Sequence, residues 1–235
     1  MKKMIASDYD RTFYINDEDI EKNKAAIEKF RKEGNIFVIA TGRSYYHFMK
    51  IVDKYSLDYD YAIINHGATI IDKKGNIIYN MPMNNSIIKN IKNDLHLDKS
   101  TDTFCCSELE TKVPFEHKDL TKINVKYKTK NESIKMNEQI NKKYSDYVTS
   151  YNITSSSIEI ISNKTNKSKT IKMLADKLNV DQKNIYTIGD GDSDIQMVKD
   201  FNGYCMKESV KGLKDVAIEE CESVSGLVNK VINSN

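Results

Sequence analysis

Short apolar runs that break off into acidic or hydroxylic clusters constrain this chain more than any other feature. Lys3 to Ser7 runs straight into Asp8-Tyr9-Asp10-Arg11-Thr12, Asn35 to Ala40 ends in Thr41-Gly42-Arg43-Ser44, and Asn184 to Ile188 ends in Gly189-Asp190-Gly191-Asp192-Ser193-Asp194. A run this short and this continuously apolar fits a parallel strand covered on both faces. A strand interior would not tolerate the polar clusters, so they mark the strands' carboxyl ends. Between the runs the period changes. Ile20, Ile27 and Phe30 recur at helical spacing before a stop at Gly34, and Phe48, Met49 and Val52 do so after Ser44, which reads as an N-cap. Tyr61 to Ile64 makes a third strand, leading into Asn65-His66-Gly67-Ala68. Strand, helix, strand, helix, strand predicts an α/β fold with a parallel sheet.

After Pro82 the chain becomes richer in Lys and Asn and poorer in apolar runs. Residues 86–95 and 134–144 read as helices, and 101–106, 123–128, 147–151 and 157–161 as extended. That order suggests a small α+β module over 81–157, inserted into a core made of 1–80 and 158–235. The first pattern then resumes with a helix over 168–178 and ends in a helix over 226–232.

Composition narrows the functions. The net charge is only +2, from 36 Lys plus Arg against 34 Asp plus Glu, so nothing demands a nucleic acid or an anionic membrane. No apolar stretch approaches the roughly 18 residues of a spanning helix, and the run from Met4 to Ala6 is too short for a secretory signal. The chain reads as cytoplasmic, a monomer or weak homo-oligomer. Its 4 cysteines, Cys105, Cys106, Cys205 and Cys221, contain no C-x-x-C and read as reduced thiols.

In an open parallel sheet, ligands bind outside the carboxyl ends of the strands. Those ends carry Asp8, Asp10, Thr41, Asp190, Asp192 and Asp194. Carboxylates crowded together repel one another unless a cation sits among them. An all-oxygen donor set without His or Cys favours Mg²⁺ over zinc. Asp8 and Asp10, two apart on extended backbone, point to the same side. One carboxylate can then attack phosphorus to form an aspartyl-phosphate while the other gives and takes the proton.

Asp8-Tyr9-Asp10-Arg11-Thr12, Thr41-Gly42-Arg43, Lys167 and Gly189 to Asp194 resemble, in order and spacing, the four motifs of the haloacid dehalogenase superfamily. The insert after the third strand, and Ile158-Glu159-Ile160 leading into Lys167, resemble its Cof-type branch, subclass IIB. The resemblance covers essentially the whole chain. It implies a Rossmann-like core with an inserted α+β cap, and a Mg²⁺-dependent phosphatase acting on a small phosphorylated metabolite such as a sugar phosphate, nucleotide or phosphorylated cofactor. By resemblance Asp8 is the nucleophile and Asp10 the acid/base. Thr41, Gly42, Arg43 and Lys167 bind the phosphoryl group, with Lys167 neutralising charge near Asp8. Asp190 and Asp194 help hold Mg²⁺ with the Asp8 side chain and the Asp10 carbonyl. Asp192 reads as a helix cap or a support for a ligand.

Several positions depart from the family pattern. Arg11 stands where Gly is usual, Ser168 where Gly follows the Lys, Ser193 where Asn precedes the final Asp, and His66 where Asn opens the Asn-Gly-Ala loop. Lys169 competes with Lys167 for the lysine's place. Arg11 leaves room for a second reading, a catalytically silent ligand-binding or regulatory protein. A phosphomutase or phosphotransferase would share the covalent intermediate.

Overall fold

The computed structural model describes residues 2–233, so residue 1 and residues 234–235 at the outer ends of the expected core lie outside it. The apolar run Met4–Ser7 is strand β1, followed by helix α1 (Asp17–Lys32), β2 (Ile36–Ala40), α2 (Tyr45–Tyr55) and β3 (Tyr61–Ile64). Helix α1 starts earlier than its apolar stripe because Asn16 caps it, accepting hydrogen bonds from the amides of Glu18 and Asp19. Acids in its first turn and Lys29, Arg31 and Lys32 in its last complement the helix dipole. A hairpin the sequence did not reveal, β4 (Thr69–Asp72) and β5 (Ile77–Asn80), turns at Gly75, whose φ is +83°.

The chain then leaves for the insert: α3 (Asn85–Asp94), β6 (Ser100–Ser107), β7 (Glu110–Val113), β8 (Leu120–Tyr127), α4 (Lys130–Lys143), β9 (Val148–Asn152) and β10 (Ser157–Ser162). It returns through α5 (Lys167–Lys177), β11 (Ile185–Gly189), α6 (Ile195–Asp200), β12 (Asn202–Met206), α7 (Lys211–Lys214), β13 (Glu219–Cys221) and α8 (Val224–Asn233).

Among the described residues eight strands form the larger sheet, in the order β13-β12-β11-β1-β2-β3-β4-β5. From β13 to β3 all pairings are parallel, and the hairpin β4–β5 extends the sheet antiparallel. The strands alternate between two apolar layers. Ile5, Phe37, Ile39 and Ala62 pack with Ile27 and Phe30 of α1, Phe48 of α2 and Leu227 of α8. Met4, Ala6, Val38 and Ile63 pack with Ile171 and Leu174 of α5 and Met197 of α6. Burial on both faces is why these strands read as unbroken apolar runs.

The smaller sheet runs β7-β6-β8-β10-β9, with α3 and α4 on one face, so the fold is the α/β core with an inserted α+β module. Strand β10 hydrogen-bonds along its length to β8 and β9, which carries the smaller sheet to Ser162, past the division expected at 157/158. Among the described residues no helix is long and apolar enough to cross a membrane.

Chain order reverses between β1, which leads on to β2 and β3, and β11, which leads the other way to β12 and β13. That switch opens a crevice at the strands' carboxyl ends. Asp8 follows β1 there, and Asp190 follows β11.

Candidate active site

Parallel pairing brings acids far apart in the chain together. Ser7 lies opposite Ile188, so Asp8 and Asp190 emerge side by side. The 3-10 turn Asp192–Asp194 folds Asp194 back, and its Oδ2 accepts from the amides of Asp190 (3.2 Å) and Gly191 (3.1 Å). Asp8, Asp190 and Asp194 are buried and each offers a carboxylate oxygen, all within 4.8 Å of one another. Asp192 stays exposed and outside this cluster.

Lys167 enters from the first turn of α5, fully buried, with Nζ 2.6 Å from Asp8 Oδ1 and 2.6 Å from Asp194 Oδ1. The neighbouring Lys169 is exposed and donates to the Asn163 carbonyl. Burial opposes charge on Lys167, yet Asp194 and Asp8 outweigh it and raise its pKa. Burial pushes the Asp8 carboxyl up, and Asp194 and Asp190 add to that against the pull of Lys167. Asp190 is likewise raised, by burial first and then by Asp194. One ammonium among three buried carboxylates leaves negative charge in excess. Asp190 Oδ1 accepts from Thr12 Oγ1 (3.1 Å), while its buried Oδ2 makes no hydrogen bond and faces only the Arg11 guanidinium at 2.8 Å. A carboxylate oxygen that makes no hydrogen bond and is met only by an exposed arginine, in a crowded oxygen-only cluster, fits a hard divalent cation.

Asp10 does not join the cluster through its carboxylate. Half-exposed, it accepts from Arg43 at both oxygens, Nε to Oδ2 at 2.8 Å and Nη2 to Oδ1 at 2.6 Å, and that contact raises the Arg43 pKa. Arg11 holds φ at +61°, a left-handed conformation that costs a non-glycine residue strain. Thr41, buried at the end of β2, accepts at Oγ1 from the Arg43 amide (3.2 Å). Ser44 stands at the start of α2 without capping it. Its hydroxyl pairs with His47 Nδ1 (3.0 Å) and with Thr111 Oγ1 of the insert (2.9 Å).

Asn65, His66 and Gly67 all have positive φ, +50°, +56° and +108°. Gly67 must be glycine on space as well, since a Cβ would lie 2.4 Å from the Asn166 carbonyl carbon, beside Lys167. His66 is buried, with Nε2 2.5 Å from Glu159 Oε2 of β10 and its ring 5.3 Å from that of Tyr151 of β9. Burial lowers the His66 pKa, against Glu159, which raises it. Burial alone would raise Glu159, but Lys122 and His66 prevail and hold its carboxyl far below the usual range. Sequence reasoning assigned no part to Lys122, Asn65 or Thr12. The one available signal was alternation: Ile123, Val125, Ile158 and Ile160 pack toward the insert's helices, so Lys122, Asn124 and Glu159 must share the opposite face.

The sequence pattern of the haloacid dehalogenase-like hydrolase family matches residues 5–118 and 99–226. The chain is 28% identical over 251 residues to a Mycoplasma capricolum protein, covering 88% of this chain and 91% of that one. It is 24% identical over 268 residues to a Buchnera aphidicola protein named provisionally as a phosphatase, covering 98% of each. A haloacid dehalogenase-like hydrolase of Bacillus subtilis superposes with a TM-score of 0.83 at 18% identity, over 99% of this chain and 100% of that one. One from Bacteroides thetaiotaomicron gives 0.80 at 14% identity over 99% of each chain. The two structures bear out the fold, the inserted cap included, and the match along most of the sequence settles the lineage: this chain belongs to the haloacid dehalogenase-like hydrolases, in their Cof-type branch.

Proposed function

We propose that the protein is a cytoplasmic, Mg²⁺-dependent phosphohydrolase that removes phosphate from small phosphorylated metabolites through an aspartyl-phosphate. The observation that carries this reading is the convergence of Asp8, Asp190 and Asp194 around Lys167 at the switch point of the sheet. Asp8, Asp190 and Asp194, with the main-chain carbonyl of Asp10, would hold the cation, which when bound offsets the negative charge of carboxylates and phosphoryl group.

An Asp8 carboxylate oxygen attacks phosphorus and the bond from phosphorus to the leaving oxygen breaks, while Asp10 gives that oxygen its proton. Asp10 then takes a proton from water, the water oxygen attacks phosphorus, and inorganic phosphate leaves with Asp8 regenerated. Lys167 holds Asp8 in line and neutralises charge. Thr41, the Gly42 amide and Arg43 receive the phosphoryl oxygens. Both Asp10 oxygens are occupied as acceptors by Arg43. An arriving phosphoryl group gives the guanidinium a second anion to grip, freeing an Asp10 oxygen for the proton.

The cap lies across the strand ends through Ser44–Thr111, Asn65–Thr121 and His66–Glu159, and so excludes bulk water and large substrates. The 4 cysteines are free and buried, consistent with a reducing compartment, and burial pushes the Cys105 thiol up to about 12. A phosphate-release screen over sugar phosphates, nucleotides and phosphorylated cofactors, with Mg²⁺ and with chelator, tests the reading. Mg²⁺-dependent release from at least one class is expected. Ligand or Mg²⁺ binding without any release would point instead to a silent binding protein. Phosphoryl transfer to an added alcohol in preference to water would point to a phosphotransferase.

A further inference from the structure

Three consecutive carbonyls in the loop after β2 are all claimed. The His66 amide donates to Thr41 O (3.1 Å) and the Asn65 amide to Arg43 O (2.9 Å), both from the core. Between them Gly42 O accepts from Lys122 Nζ at 2.6 Å, and Lys122 belongs to β8 of the cap. Only the middle bond crosses between the two sheets.

Lys122 is buried, 2% exposed, as is Glu159 at 6%, on the cap face opposite the helices. Glu159 Oε1 accepts from Lys122 Nζ (2.8 Å) and from Asn124 Nδ2 (3.1 Å). An ion pair buried between two sheets holds them together less well than apolar packing would, because both charges lose their water. It does confer direction. Glu159, fixed by His66 on one oxygen, aims the lysine on the other at one carbonyl. On its other side Gly42 is walled by the His66 ring, where a Cβ would approach to 2.3 Å. Gly42 therefore sits clamped between a core histidine and a cap lysine. Its two neighbours are Thr41 and Arg43, and Arg43 grips Asp10. The chain passes between cap and core at segments 81–84 and 163–166, so an opening about them withdraws Lys122 and leaves Gly42 O without this partner.

We propose that Lys122 is a positioning residue for the reaction at Asp8: the closed cap brings its ammonium onto the Gly42 carbonyl, and this completes the loop that presents Thr41 and Arg43. The proposal rests on the phosphohydrolase reading and adds to it a coupling between cap closure and assembly of the site. Lys122 touches no reacting atom.

The test uses the full-length double variant Lys122→Met with Glu159→Gln, which removes both buried charges together so that neither is stranded. Circular dichroism and a melting curve establish that it folds. The best substrate from the release screen supplies kcat and KM, and hydrogen exchange by mass spectrometry reports on the 41–43 amides. Expected are a kcat lowered about 10²-fold, the scale of a small misplacement of catalytic groups, with KM far less affected, and faster exchange at 41–43 but not within β2. Wild-type kcat together with wild-type exchange overturns the proposal. A raised KM with unchanged kcat overturns it too, since Lys122 would then be binding substrate. If the wild-type protein releases phosphate from nothing, the phosphohydrolase reading falls by itself. Exchange then decides alone, faster exchange upholding the hold of Lys122 on the loop and unchanged exchange refuting it.

Discussion

Arg43 holds Asp10 by both carboxylate oxygens, at 2.8 and 2.6 Å, across the gap between the ends of β2 and β1. The expected acid/base is thus placed by an expected phosphate ligand, and the two functions share one guanidinium. Arg43→Ala should lower kcat by about 10²-fold or more, the usual worth of general acid–base catalysis, and raise KM as well. Arg43→Lys should recover little, because an ammonium cannot reproduce the bidentate grip. Steady-state kinetics checks both, and full recovery by lysine would show that only the charge matters.

Lys167 and Lys169 separate cleanly by environment. Lys167→Met strands Asp8 and Asp194 in the interior and should cost about 3–5 kcal/mol of stability, with activity lost. Lys169→Ala removes an exposed side chain and should leave melting temperature and activity as they are. Denaturation curves and phosphate release on the two variants decide between them, and the reverse pattern would reassign the lysine.

Mg²⁺ binding to the native state alone should raise the melting temperature. At one hundred times the dissociation constant the gain is about 2.7 kcal/mol, or roughly 5–10 °C for a chain of this size. Asp190→Asn should abolish most of that shift. Arg11→Gly should tighten Mg²⁺ by about two- to fivefold, since it removes a cation that competes for Asp190 Oδ2 from an exposed side chain and relieves a left-handed φ. Calorimetric titration of the substrate-free protein measures this. Weaker binding in Arg11→Gly would mean that the guanidinium assists the site.

Acid should lower the protein's stability in two stages. His66, from the loop after β3, is faced by Glu159 of β10, Lys122 of β8, the Tyr151 ring of β9 and the field of Lys167 at the start of α5. Its pKa is lowered in the folded state, so below the ordinary value of about 6.5 the unfolded chain binds more protons and stability falls as pH drops. Glu159 is also lowered, so its contribution is present above about 4.3 and is lost as pH falls further. Urea unfolding between pH 8 and about 2 should show both losses, and His66→Asn should remove the upper one while Lys122, still beside Glu159, preserves part of the lower. An unchanged upper stage in that variant would remove His66 from the account.

The parallel strands were legible because burial on two faces leaves an unbroken apolar signature, as in Ile36 to Ala40. The polar ends were legible because a strand interior cannot hold Asp8 or Asp190. Two edge strands carried no such mark. β13 is Glu219-Glu220-Cys221, and β7 alternates Glu110 and Lys112 with Thr111 and Val113, so neither shows an apolar run. Strand β10 was divided at 157/158 because its pairing with β8 and β9 is a matter of register, which a single strand's sequence does not encode. Within the site, the meeting of Asp8, Lys167, Asp190 and Asp194 follows from strand order. The Asp10–Arg43 grip depends on the conformations of the loops after β1 and β2, and the Lys122 bond to Gly42 on how two sheets settle against each other. A charged residue flanked by Thr121 and Ile123 reads as solvent-facing until the core is seen to cover it.

The central claim is that Asp8 becomes covalently phosphorylated. The most direct measurement is acid quenching of the protein during turnover of its best substrate, followed by digestion and mass spectrometry of the peptide that contains Asp8. The account predicts a phosphoryl group on that peptide in the wild type, lost in Asp8→Asn together with turnover. Turnover that survives Asp8→Asn, or a phosphoryl group carried by another residue, would contradict it.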